Sequence, residues 1–549
     1  MSQHGRHEGR ASAHSFTSTV QTESTKPPPI PLGRFWILCV GVCLGLFLSM
    51  VDTSIVATCL YAVGTEFRDL DSVNWVALSY TLAYMGFSVV FSRISDITGR
   101  RDAFVVAYVV FVAFSLACGF ARTLHQLIAF RALQGIGGSG LYSLSMVMLS
   151  ELSPAHLRQY IAAMIGLVVA MSGVLGPVLG GLLASYTSWR WVFWIKHVSS
   201  GPIGAASLAT FVVSWPNRRH LPHHERHSWK QLDCPGAFLT VAAAVLVVFS
   251  FQNAGQTSGS ASHGNSWGSA VFIAPLVVGV VCWGALMLWE YGVEYRLSRR
   301  FIPVLPLGIF RSVVYTSGVI NTLLLGLPYL LLIYIVPLRI QIVGVKSALL
   351  AGVMLLPMLV AVALGSLVSG AVNSKTPVIT ETLLAGSCLM VLGCGLLTTL
   401  STQELDGAKL LGFIALCGMG FGLTVSSSTM IASIKVAPKH YAPAQGILAQ
   451  LRIFGGSLGI AASTAILRTK TQGGLLPVGK RESQAPGSQS QSVKMAFAEA
   501  FRTDMMVATA VSGAAVILAL VACWLRRNNQ SEPEGPRTSP ERRTGDENE

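Results

Sequence analysis

SRISDITGRRD (Ser92–Asp102) sets three arginines and two aspartates into eleven positions. The chain is apolar on both sides of it, through 74–91 before and through 103–121, AFVVAYVVFVAFSLACGFA, after. About 20 apolar residues make a helix long enough to cross a bilayer. A charged knot between two such runs reads as a tight loop between two spanning helices, and its arginines place it on the cytoplasmic side. The runs exceed the roughly 9–11 residues of a barrel strand and do not alternate, which excludes a β-barrel.

The same pattern repeats outward from this loop. Apolar segments are predicted at 36–62, 74–91, 103–121, 126–149, 160–184, 192–214, 236–251, 269–291, 313–337, 348–370, 378–399, 410–432, 445–467 and 505–525, fourteen in all. Hydrophobic residues make up 52% of the 549 and charged residues 12%, against about 25% charged in soluble domains. The net charge of +14 is spread over connectors and tails rather than gathered on one arm, which argues against nucleic acid and for a membrane. Most of the ten cysteines lie in apolar runs without a ligand-like CxxC, so reduced buried thiols are expected.

With the first residues in the cytoplasm, the inner loops carry Arg93, Arg100, Arg101, Arg158, Arg218, Arg219, Arg226, Lys230, Arg296, Arg299, Arg300, Arg311, Lys375, Lys435 and Lys439. The outer loops as far as the thirteenth segment carry Arg68, Arg122, Arg190, Arg339, Lys346 and Lys409. The resulting division is a cytoplasmic tail (1–34), a six-helix bundle (35–214), a cytoplasmic loop (215–235) and an inserted helix pair (236–291). A second cytoplasmic loop (292–312), a second six-helix bundle (313–525) with a long outer loop (468–504), and a cytoplasmic tail (526–549) follow.

Four stretches carry a resemblance to the major facilitator superfamily, in its fourteen-helix drug:proton antiporter branch. In the opening stretch Asp96, Gly99, Arg100 and Arg101 match the loop motif between the second and third helices, with Ser92 and Ile97 replacing its first glycine and first basic residue. LIAFRALQGIGGSG (127–140) resembles the fourth-helix motif through Arg131, Gln134, Gly135 and Gly137. SGVLGPVLGG (172–181) resembles the fifth-helix motif of exporters through Gly173, Gly176, Pro177, Gly180 and Gly181. SMVDTSIVATCLY (49–61) resembles the first-helix motif, with Asp52 in its acidic position. A weaker likeness covers the late helices, including Arg452.

The resemblance implies an all-α polytopic membrane protein with two six-helix bundles and two extra helices. It implies a proton-coupled exporter of small amphipathic compounds, with no cofactor and no resident metal, acting as a monomer in the plasma membrane or, alternatively, the vacuolar membrane. The motif at Asp96 to Arg101 would be a cytoplasmic latch, and Asp52 and Arg131 the proton-coupling residues. Without the resemblance, the loop arginines read as a positive-inside anchor, Arg131 as a structural pair or a snorkelling side chain, and Asp52 as a structural hydrogen-bonding group. Uptake of siderophores, vacuolar import of basic amino acids and a non-transporting sensor on the same fold are the alternative functions. Two nominal motifs carry no weight. Gly474–Lys480 has Arg481 where a P-loop needs Ser or Thr. His220, His223, His224 and His227 lack the spacing of a metal site.

Overall fold

The computed structural model describes residues 31–531, except 57–58, 70–72, 155–156, 199–207, 210, 214, 216–227, 254–267, 298–299, 376–377, 402–405, 438–439 and 473–487. The histidine cluster and the nominal P-loop lie outside the described residues, as do most of the two tails.

Sixteen α-helices follow one another among the described residues. They are α1 (Leu32–Ile55), α2 (Leu60–Phe67), α3 (Asn74–Thr98), α4 (Arg100–Gly119), α5 (Leu124–Leu152), α6 (Arg158–Tyr186), α7 (Arg190–Val198), α8 (Cys234–Asn253) and α9 (Ala270–Tyr295). Then come α10 (Val313–Ile342), α11 (Ala348–Val353), α12 (Leu356–Lys375), α13 (Ile379–Leu397), α14 (Gly407–Lys435), α15 (Tyr441–Gln472) and α16 (Ser488–Ser531). Twelve of these spans are long and apolar enough to cross a membrane, so the count of fourteen is not reproduced as such. One of the two missing is α5, 29 residues long, whose Arg131, Gln134 and run of small residues dilute its apolar character. The other, 192–214, lies partly outside the described residues.

Three predicted boundaries are corrected. The first run stops at Ile55 and resumes as the short α2. The run 348–370 breaks after Val353, because Pro357 in the next turn cannot donate its N–H and crowds the carbonyl four residues back. The last helix begins at Ser488 rather than 505, so much of the expected outer loop 468–504 is helix.

In the first half, α5 packs against both α3 and α4, and α1 packs against α5 and α6. In the second, α12, α14, α13, α16, α10 and α15 form a chain of neighbours. Close approach is possible because small residues line the contacts. A Cβ on Gly137 of α5 would sit 2.5 Å from the Phe111 nitrogen of α4, and one on Gly459 of α15 would sit 2.5 Å from the Leu327 carbonyl of α10. The halves meet along two seams, α3 with α15 and α6 with α12. The pair α8–α9 packs on itself, and α8 lies against α3 and α15 together, over one seam. Outermost, α9 turns Val277, Val280, Val281 and Leu288 outward. Such a surface would be a liability in water but suits a helix bathed in acyl chains.

Candidate functional site

Arg131 and Asp52 come together inside the first bundle. Arg131 lies about two turns into α5, and Asp52 lies on the last turn of α1. Arg131 Nη1 donates to Asp52 Oδ2, and both side chains are buried, at 1% and 0% exposure. The same nitrogen donates to Gln134 Oε1 at 2.8 Å, and Arg131 Nε donates to the Val76 carbonyl at 3.2 Å. The guanidinium lies over the Tyr80 ring, 4.2 Å from its centroid. A lone charge at the bilayer centre costs roughly 2.5–3.5 kcal/mol on insertion scales. Here the cost is met by an opposite charge, an amide, a backbone carbonyl and an aromatic face, each supplied by local geometry. Gln134 is one turn after Arg131, and Tyr80 backs onto α5 because Gly135 and Gly138 leave room for it.

From this pair a file of aromatic side chains leads to the second half. The rings of Tyr80 and Tyr84 are 5.6 Å apart, and those of Tyr84 and Tyr142 are 5.9 Å apart. Tyr142 Oη accepts from Arg452 Nη1 of α15 at 2.7 Å. Arg452, 5% exposed, also donates to Ser428 Oγ of α14 at 3.5 Å. Nearby, Tyr329 of α10 and Phe421 of α14 stack face to face, with centroids 3.5 Å apart. Arg131 and Arg452 are therefore the two ends of one buried polar and aromatic axis that crosses the interface between the bundles. Sequence reasoning singled out both arginines and missed all three tyrosines. They lie on the buried faces of α3 and α5, where a tyrosine in an apolar run reads as ordinary core.

The predicted latch residues form a network at the arginine-rich end of the bundles, their basic face, where α3 turns into α4. Asp96 Oδ1 accepts from Arg100 Nη1 at 2.6 Å, and Asp96 Oδ2 accepts from Arg93 Nη1 at 3.2 Å. Arg100 reaches on to Glu151 at the end of α5, with Nη2 to Oε1 at 2.8 Å. Gly99 joins α3 to α4 at φ +100°, a conformation that costs side-chain-bearing residues on the order of 1–3 kcal/mol. Arg101 has no ion pair among the described residues. Ser92, in place of the motif's glycine, is buried, and Gly446 of α15 faces it: a Cβ there would sit 2.9 Å from Ser92 Oγ. The small residue at this seam is Gly446, on α15. Sequence spacing missed Glu151 as a partner, since it lies 51 residues from Arg100 along the chain.

Of the fifth-helix motif, Gly176 of α6 abuts Ser54 of α1, whose Oγ donates to the Ser172 carbonyl at 3.2 Å. Gly173 faces Leu359 of α12 across the second seam, 3.3 Å from a built Cβ. Pro177 lies inside α6, and Gly180 and Gly181 lie further along the same helix. Other buried ionic groups escaped the sequence reading. Asp504 of α16 accepts from Ser463 Oγ at 2.7 Å. Arg339, expected in an outer loop, is buried in α10, where it donates to the Ser401 carbonyl at 2.5 Å and lies over the Phe501 ring. Among the described residues no group of three His, Cys, Asp or Glu is placed to hold a metal ion.

The family profile described as Major Facilitator Superfamily matches residues 42–460. The "MFS-type transporter FPY5" of Fusarium mangiferae is 31% identical over 443 residues, covering 79% of this chain and 72% of its own. "Multidrug resistance protein 3" of Bacillus subtilis (strain 168) is 29% identical over 444 residues, covering 81% of this chain and 80% of its own. Among solved structures, the proton:xylose symporter XylE bound to 6-bromo-6-deoxy-D-glucose superposes with a TM-score of 0.58 at 13% identity, over 89% of this chain and 96% of its own. That likeness is one of fold alone.

Proposed function

This chain belongs to the Major Facilitator Superfamily and is a multi-pass membrane transporter, not an enzyme; on that premise we propose that it exports small amphipathic organic compounds in exchange for protons. The observation that carries the proposal is the buried Asp52–Arg131 pair at one end of an axis that joins the two bundles. In the cycle we infer, a proton from the outer side neutralises Asp52. Arg131 then loses its counter-ion and leans on Gln134, the Val76 carbonyl and the Tyr80 ring. That changes the charge at the head of the tyrosine file and favours the conformation open to the cytoplasm. There the proton leaves, and the re-formed ion pair favours the opposite state. Cargo and proton exclude one another at the axis, so each moves against the other.

One pH unit supplies about 1.4 kcal/mol, and 100 mV adds about 2.3 kcal/mol per charge. One proton therefore sustains roughly a few-hundred-fold gradient of a neutral cargo. The glycine and proline set of α6, on the α6–α12 seam, supports a helix that bends as the halves rock. Relatives that include a multidrug resistance protein support export rather than uptake.

The test uses purified protein in liposomes, cytoplasmic face outward, with an acidic lumen and ethidium as the probe. The wild type should accumulate ethidium in proportion to the pH gradient. Asp52→Asn should bring accumulation to the level of empty liposomes while binding ethidium. Gradient-driven accumulation by Asp52→Asn at the wild-type rate would reject the assignment of the proton to Asp52.

A further inference from the structure

The inserted pair α8–α9 brings two buried carboxyls together at the basic face. Asp233, just before α8, and Glu290, near the end of α9, are both 0% exposed. Asp233 Oδ1 accepts from the Gly236 amide at 2.9 Å and from Trp289 Nε1 at 2.8 Å. Glu290 Oε1 accepts from the Leu305 amide at 3.1 Å. The two carboxyls meet across Gly236: a Cβ there would lie 2.9 Å from Glu290 Oε1 and closer still to Asp233 Oδ2. Asp233 Oδ2 and Glu290 Oε2 have no hydrogen-bond partner among the described residues.

The group facing them is a latch arginine. Arg93 of α3, 5% exposed, uses Nη1 on Asp96 and Nε on the Val304 carbonyl at 3.4 Å, and its Nη2 has no partner. It interacts electrostatically with both Asp233 and Glu290. Val304 and Leu305 belong to a strap, 301–306, that runs from α9 toward α10. The strap is also pinned by the Ile302 amide on the Gln231 carbonyl at 2.8 Å. One strap thus hangs between an arginine of the first half and a glutamate of the inserted pair, and leads into the second half. Among the described residues, the fully buried charges of this region are Arg93, Asp233 and Glu290; Asp96, Arg100, Arg101 and Glu151 are half-buried around them, and Lys230, Arg296, Arg300 and Arg311 are exposed. Glu294, one turn beyond Glu290, is turned away to the Gly308 amide, and Arg311 to Tyr295 Oη.

We propose that the Asp233–Glu290 pair is a second proton-binding site, and that a proton on it loosens the basic-face clasp made by Arg93, Asp96 and the strap. One buried arginine, already paired to Asp96, facing two buried carboxylates leaves excess negative charge, which a bound proton relieves. Burial raises Asp233 above the ordinary carboxylate range, against the pull of the Gly236 amide, Trp289 and Arg93. With Glu290 ionised, Arg93 Nη2 has an anion to hold, and α3, α9 and the strap are tied together. With Glu290 protonated, that tie is lost and Arg93 is held by Asp96 and one long carbonyl bond. The site reads the pH on the basic side, independently of the Asp52–Arg131 pair and of the cargo.

The experiment is hydrogen exchange read by mass spectrometry on the full chain in nanodiscs, from pH 5.5 to 8.5. Uptake is corrected for the intrinsic pH dependence of exchange and followed in peptides covering 92–102 and 301–312. The wild type should become more protected as pH rises, with a single midpoint. Glu290→Gln should exchange at the low-pH level throughout. Asp233→Asn keeps one carboxyl and removes its like-charged neighbour, so its midpoint should move down by roughly a pH unit. This shift is a readout that mere misfolding would not give. A flat wild-type profile, or an Asp233→Asn midpoint equal to that of the wild type, would overturn the proposal.

Discussion

Arg131 is tied to five groups by its fork and its flat face: Asp52, Gln134, Val76, Tyr80 and, 5.7 Å away, Phe193. A lysine would keep the charge and lose the fork and the stacking plane. Arg131→Lys should therefore stay folded and inserted, with a melting temperature within a few degrees of the wild type, and lose at least about tenfold in gradient-driven ethidium flux. Unchanged flux would make the arginine a charge holder only. Gly99 tests a different chemistry. Its φ of +100° penalises any Cβ, so Gly99→Val should cost roughly 2 kcal/mol, read as a lower melting temperature in detergent, though a built Cβ would touch nothing within 4 Å. At this scale the sequence was partly legible. Charged side chains in apolar runs stand out, so Asp52 and Arg131 were visible, and a glycine between charged helix ends was visible as a turn. Tyr80, Tyr84 and Tyr142 were not, because tyrosine is at home in any buried helix face.

Among the helices, α3 and α15 meet where Ser92 faces Gly446, and α6 meets α12 where Gly173 faces Leu359. Replacing Gly446 by valine puts a branched side chain within 3 Å of Ser92 and should hold the basic-face seam apart. The expected reading is a longer distance between labels introduced at Asp102 and Lys435, two exposed positions on opposite halves, measured by pulsed electron paramagnetic resonance. An unchanged distance would mean that the seam closes elsewhere. Twelve membrane helices were legible because length and apolarity survive any packing. The boundaries were less so. The break at Pro357 was hidden inside an apolar run, and the polar start of α16 at Ser488 looked like loop because polar residues at a helix end carry no membrane signal. Glu290 and Asp233 were not legible because an acid at the edge of an apolar run reads as loop: Glu290 is next to the end of 236–291 and Asp233 three residues before its start.

Across the whole molecule, two polar networks occupy different places, one on the basic face and one in the bundle interior. On the basic face, Asp96 links Arg93 to Arg100, Arg100 reaches Glu151, and the strap ties the inserted pair to Arg93. Cutting this network with Glu151→Gln should shift the population toward states open on that face, seen as a second, longer component in the same distance distribution. In the bundle interior, Asp52, Arg131, the tyrosines and Arg452 span both halves, the path along which the proposed cycle carries a charge change from one half to the other. The likeness of fold to XylE at 13% identity shows that the fold survives replacement of most of its side chains. In the proposed cycle the direction and coupling of transport depend on which acid takes the proton.

The most direct measurement is proton release on cargo binding. Purified wild-type protein, lightly buffered in detergent near neutral pH with a pH-indicating dye, is mixed with ethidium. The account predicts a saturable release of protons on binding, absent in Asp52→Asn although that variant still binds the probe. Equal release from both proteins, or binding by the wild type with no release, would contradict competition of cargo and proton at the Asp52–Arg131 pair.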